Sequence, residues 1–157
     1  MSQLKQSKRQ FALGLVALVI LFANQFSYAG DFYGRDGVAI DGYDPVAYFA
    51  ENKPVHGSKE IMLEYKGSVF LFATAANREK FKESPEAYVP QFNGYCAFGA
   101  ASGYKAKVDP EAFSIVNGKL YLNYNAAVKT TWSKDVDNYI SKAVQQWPKT
   151  EQTTFKP

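Results

Sequence analysis

The sequence predicts an α+β fold: one small domain of short antiparallel strands and β-hairpins, with helices packed to one side. Three observations predict it. Two stretches, Lys59 to Phe72 and Phe113 to Tyr124, read as strands folded around a tight-turn signal. Four stretches begin at a helix-capping residue, Thr74, Ser84, Asn125 or Ser133. The 12 Phe, 11 Tyr and 2 Trp residues supply a packed core to a chain whose single Cys can form no internal disulfide.

The first residues set the compartment. Lys5, Lys8 and Arg9 precede Phe11 to Ala23, an unbroken run of apolar or small residues, and Ser27-Tyr28-Ala29 offers small residues at a cleavage site. That is the layout of a secretory signal peptide over residues 1–29. A helix over the run would rise about 20 Å, short of a bilayer core of roughly 30 Å. No Cys follows it for a lipid anchor, and no Arg-Arg pair precedes it. The mature protein is therefore expected in the periplasm or outside the cell, with no membrane contact after cleavage. Cleavage removes three of the 18 basic residues and no acids, leaving as many Lys and Arg as the 15 Asp and Glu. A neutral chain without a basic cluster is a poor partner for nucleic acid.

Residues 30–148 then form the domain, and residues 149–157 a polar tail. Gly30 to Gly37 is glycine-rich and reads as an irregular lead-in. Asp41-Gly42 and Asp44-Pro45 are turn pairs, and Asp44 can cap a short helix over VAYFAEN with Pro45 at its first position. Asn52 to Ser58 is a loop. Ile61, Leu63 and Tyr65 alternate with Met62 and Glu64, and Lys66-Gly67-Ser68 turns the chain back. Val69 to Phe72 is continuously apolar, the mark of a strand buried on both faces. Thr74 caps AANREKFKES; Ser84-Pro85 opens a second helix that Pro90 ends. Gln91 to Pro110 has no clean period. Asn117-Gly118 joins FSIV to KLYLNY through a type I′ turn signal. Asn125 caps AAVKTTW. Ser133 caps KDVDNYISKAVQQW, whose Val136, Tyr139, Ile140, Ala143, Val144 and Trp147 share one stripe, and Pro148 stops it. The remaining tail is expected to fray. No internal repeat and no low-complexity segment is evident.

The chemistry-bearing residues are few. Cys96 lies in QFNGYCAFGAASGY between Gly94 and Gly99. Its thiol suits a small buried hydrophobe, a soft-metal ligand or a reactive nucleophile. Neither CxxC nor CxxCH is present. His56 is the only His, in the loop PVHGS, and Met62 is out of phase with its apolar neighbours. Cys96, His56 and Met62 together would make a sensible copper(I) set if the fold joined them. Tyr43, Tyr95 and Cys96 are candidates for lining a small-molecule or cofactor pocket, and Tyr33, Tyr48 and Tyr104 could join them. Asp41, Asp44 and Asp109 stand beside Gly or Pro, where carboxylates serve turns and caps. No GxSxG, HExxH or phosphate loop appears, so enzymatic chemistry has little support.

Four phrases carry a family resemblance: DGYDPVAYF (41–49), FLFATAANREKFKESPEAYVPQFNGYCAFG (70–99), VDPEAFSIVNGKLYLNYN (108–125) and the W…I…A…W helix (132–147). Together they resemble secreted bacterial YHS-domain proteins over nearly the whole mature chain. The resemblance implies a YHS-like domain and a link to copper or other heavy-metal handling. The metal-type pattern places Cys where this chain has Ala47, Ala73 and Asn77. Cys96 lies outside that pattern. Two functions follow as expectations, ahead of a thiol-dependent enzyme or redox sensor with His56 assisting Cys96, for which no orienting third group is visible. One is a secreted binding domain for a metal ion such as copper, or for a small cofactor, anchored at Cys96. The other is a non-catalytic structural or protein-interaction module in which Cys96 is buried.

Overall fold

The computed structural model describes residues 31–155. The expected signal peptide, residues 1–29, lies outside them. Strands β1 (Gly34–Arg35), β2 (Val38–Ala39), β3 (Ser58–Tyr65) and β4 (Ser68–Phe72) form one sheet in the order β1-β2-β4-β3. Strands β5 (Asp109–Val116) and β6 (Lys119–Asn123) form a separate hairpin. The helices are α1 (Ala47–Ala50), α2 (Ala75–Glu83), α3 (Ala97–Ala101), α4 (Ala126–Trp132) and α5 (Val136–Thr150). The fold is α+β, and all pairings are antiparallel except Val38 with Val69 between β2 and β4.

Both hairpins turn on two residues with positive φ, Lys66-Gly67 at 47° and 70° and Asn117-Gly118 at 50° and 71°. Positive φ at both positions matches the twist of the flanking strands. Three of the four residues of the apolar run in β4, Phe70, Leu71 and Phe72, are buried with Ser68, while Val69 is partly exposed. Thr74 Oγ1 accepts from Asn77 N and Asn125 Oδ1 from Val128 N, so both expected caps form.

Other expectations are corrected. The lead-in is a β-ribbon: β1 pairs with β2, and Phe32 and Tyr33 are buried. Ser84 makes no side-chain cap, and Pro85–Ala87 is a single 3-10 turn. Ser133 closes α4 rather than opening α5, which starts after Asp135. Pro148 lies inside α5. Its missing N–H strips a partner from the Val144 carbonyl, but Val144 is exposed to solvent, and Glu151 N resumes the helical bonding at Trp147 O. That exposure also takes Val144 off the buried stripe. The tail is held: Thr150 is buried, the Phe155 ring meets Tyr33 and Tyr95, and Lys105 Nζ donates to the Glu151 and Thr153 carbonyls.

The backbone also contains a repeat that the residue types conceal. Residues 40–83 and 92–132 follow one course. Each begins with three consecutive residues of positive φ, Ile40-Asp41-Gly42 and Phe92-Asn93-Gly94. A Tyr follows whose N–H returns to the first of them, Tyr43 to Ile40 and Tyr95 to Phe92. Next come a short helix, an eight-residue strand, a two-residue turn, a five-residue strand and a capped helix. The two hairpins share even their bulge, which falls between Ser58/Met62 in one and Asp109/Phe113 in the other. One core joins the halves: Ile40, Tyr48, Phe70, Phe72 and Phe81 pack in the same cluster as Leu120 and Leu122. Tyr48 stacks edge-on to Phe113 and donates to the Pro110 carbonyl.

Candidate functional site

The repeat places Asp44 and Cys96 at equivalent positions. Asp44 N donates to Val55 O, and Cys96 N donates to Ala106 O. Each side chain then caps the short helix that follows. Asp44 Oδ1 accepts from Val46 N at 2.8 Å and Ala47 N at 3.3 Å. Its Oδ2 accepts from Ala73 N at 2.8 Å and Asn77 Nδ2 at 2.7 Å. Asp44 is completely buried, and all four contacts are neutral donors. It locks α1, the end of β4 and α2 together.

Cys96 meets the matching backbone. Its Sγ accepts from Gly99 N at 3.5 Å and lies 3.8 Å from Asn123 Oδ1, to which the thiol donates. Asn123 Oδ1 also accepts from Phe98 N at 3.3 Å. Burial pushes the Cys96 thiol pKa up; the N–H groups of Gly99, Tyr124 and Phe98 oppose that rise without cancelling it. The thiol is only 2 % exposed and protonated at neutral pH. Val128 stands where the first half has Asn77, so the side-chain donor that completes the Asp44 lock is missing here.

A cavity of about 250 Å³ lies against the thiol, walled by Cys96, Phe98, Tyr104, Ala106, Tyr124 and Val128. Tyr104 and Tyr124 form its solvent-facing rim, 50 % and 41 % exposed. Gly99 lets Tyr104 close in: a Cβ there would stand 3.1 Å from Tyr104 O and 3.2 Å from its ring. Lys107 Nζ sits 5.3 Å from the centre of the Tyr124 ring.

The structure disperses the other predicted residues. His56 is exposed, its ring 4.0 Å from the ring of Tyr43, and the two residues are bridged through their backbones. Met62 faces solvent on β3, 57 % exposed and opposite Leu71. Neither lines the Cys96 cavity, so the soft-ligand set Cys96, His56 and Met62 does not converge. Among the described residues, no group of three or more His, Cys, Asp and Glu could hold a metal ion. Tyr95 turns away into an aromatic cluster with Tyr33, Trp147 and Phe155, and burial raises its hydroxyl pKa. Of Tyr43, Tyr95 and Cys96, only Cys96 lines the cavity. Asp109 serves the backbone as expected, its Oδ1 accepting from Glu111 N, whereas the Asp41 carboxylate pairs with the Arg35 side chain at 3.0 Å.

Sequence reasoning missed Phe98, Ala106, Tyr124 and Val128 as cavity walls, and Asn123 as the partner of the thiol. Asn123 carried a faint signal. It is a polar residue inside KLYLNY, on a strand whose neighbours are all apolar, and it is fully buried with Nδ2 unpartnered.

The chain matches no protein-family model, no curated protein and no solved structure. Among the described residues, no helix is long and apolar enough to cross a membrane.

Proposed function

We propose that this protein is an extracytoplasmic, YHS-like binding module whose ligand sits at the Cys96 cavity. The observation that carries the reading is the cavity itself: a thiol on its floor, two exposed tyrosines at its mouth, and no charged side chain in its wall. Ligand sites are concave and mostly apolar with a few placed polar groups, and this one has that character at small size. One further point supports the reading. Ala47, Ala73 and Asn77, the positions where the YHS resemblance expects Cys, all converge on Asp44 through Ala47 N, Ala73 N and Asn77 Nδ2. The three positions where the resemblance expects Cys thus all bond to Asp44, and this chain uses them in a hydrogen-bonded lock. A copper site built from Cys96, His56 and Met62 lacks support in the geometry; any soft metal at the cavity would have Cys96 as its one strong ligand from this chain.

The test is the content of the mature protein purified from the cell envelope without a metal-binding tag. Native mass spectrometry and elemental analysis would be run on the parent and on Cys96→Ala. A molecule or metal carried by the parent and lost from the variant supports binding at Cys96. Identical, empty spectra for both would count against it. The second reading, a non-catalytic interaction module, is favoured by one observation: the thiol is already committed to capping α3 and to Asn123. It requires that Cys96 react with thiol reagents only after unfolding.

A further inference from the structure

We infer that the occupant of the Cys96 cavity is a small, neutral, largely apolar molecule about the size of a single aromatic ring; this deepens the binding proposal and rests on it. Comparison of the two halves carries the inference. In the first half, the positions matching the cavity are filled and bonded: the Asp44 carboxylate takes Ala73 N and Asn77 Nδ2. In the second half Cys96 replaces Asp44, Tyr124 replaces Ala73 and Val128 replaces Asn77. The exchange removes the carboxylate and the carboxamide and keeps the backbone that surrounded them. What remains is open space with an apolar lining.

The lining sets the ligand class. Phe98, Ala106 and Val128 offer only carbon, and the Tyr104 and Tyr124 rings bring their faces or edges. The one polar atom on the floor, Cys96 Sγ, is already bonded to Gly99 N and Asn123 Oδ1. A charged group entering would lose its hydration with no counter-charge in the wall, since the Lys107 ammonium over the Tyr124 ring stands outside the lining. An apolar molecule carries no such desolvation penalty and removes apolar surface from water. Size follows from volume: a dry apolar cavity of about 150 Å³ accepts benzene. At about 250 Å³ the space seats one substituted ring.

The test uses the mature protein with toluene and with benzoate, its charged counterpart, followed by amide NMR and titration calorimetry. Toluene should shift the Phe98, Tyr124 and Val128 amides and saturate; benzoate should do neither. Ala106→Leu, which fills the cavity from its wall, should weaken toluene binding about tenfold or more. Cys96→Asp with Val128→Asn, which reinstates the lock of the first half, should abolish binding in a protein that still melts cooperatively. Benzoate binding as well as toluene would overturn the ligand class. So would an absence of toluene binding in protein that holds copper(I) at Cys96, although binding at Cys96 would then stand. Neither toluene nor copper(I) binding would overturn both.

Discussion

Replacing Asp44 should cost more than replacing any other polar residue among the described residues. Its two oxygens accept four hydrogen bonds from three separate elements, all within 2.7–3.3 Å, and water reaches none of its surface. Asp44→Ala would leave Val46 N, Ala47 N, Ala73 N and Asn77 Nδ2 without their acceptor. Each buried donor so stranded costs about 1–3 kcal/mol. Water entering the vacated space would recover part of that, so a net loss of about 4 kcal/mol is expected. For a domain of this size that lowers Tm by on the order of 10–15 °C. Asp44→Asn separates shape from acceptor number. Its oxygen can still cap α1, and Asn77 can turn its own oxygen toward the new NH₂, but Ala73 N stays unpaired. The expected cost is about 2 kcal/mol, near half that of Ala. Urea unfolding monitored by tryptophan fluorescence gives both values. Destabilisation of Asp44→Ala by less than about 1 kcal/mol would refute the role of Asp44 as the lock of the first half.

Three further outcomes are expected. Gly118→Val should destabilise by about 1–2 kcal/mol: nothing lies within 4 Å of the new Cβ, so the whole cost comes from holding φ at +71°. An unchanged melting temperature would show that the turn relaxes freely. Phe155→Ala should cost about 1–2 kcal/mol by removing ring contacts to Tyr33 and Tyr95, and proteolysis should then trim the C-terminus first. Because the Cys96 pKa is raised in the folded protein, the folded state holds that proton more tightly than the unfolded chain. Stability should therefore be intact below the ordinary thiol pKa and fall as pH rises above about 9. Cys96→Ala should remove that part of the slope, and equal slopes in parent and variant would contradict the shift.

Local signals were legible in the sequence wherever one residue type has one physical role. Asn117-Gly118 takes positive φ at both positions as its type requires, and Thr74 and Asn125 cap as short polar side chains do. Signals failed where a distant partner decides. Pro148 stays helical because its neighbour Val144 faces solvent, and the polar tail stays ordered because Lys105 and the Tyr33–Tyr95 pair reach it. The sequence marks Asp44 as a cap, which it is, but its bonds to Ala73 and Asn77 come from tertiary folding. The repeat was hidden for a related reason. What recurs is backbone course: three positive-φ residues, a cap and a bulged hairpin. Asp44 and Cys96 meet matching N–H groups with different chemistry, and the adjacent hint in residue type is short, the Gly-Tyr pair that precedes each. Cys96 itself could be singled out, but its cavity walls come from α3, the following loop, the residue after β6, and α4, which no local pattern links.

The most direct test of the Cys96 cavity as an open site is the rate at which methyl methanethiosulfonate labels the native thiol. A site open through Tyr104 and Tyr124 predicts labelling of folded protein at a rate that does not change in low urea, rises with pH toward and beyond 9, and falls when toluene is added. Labelling that instead tracks global unfolding across urea, with no protection by any small molecule, would contradict the account and make Cys96 a core residue.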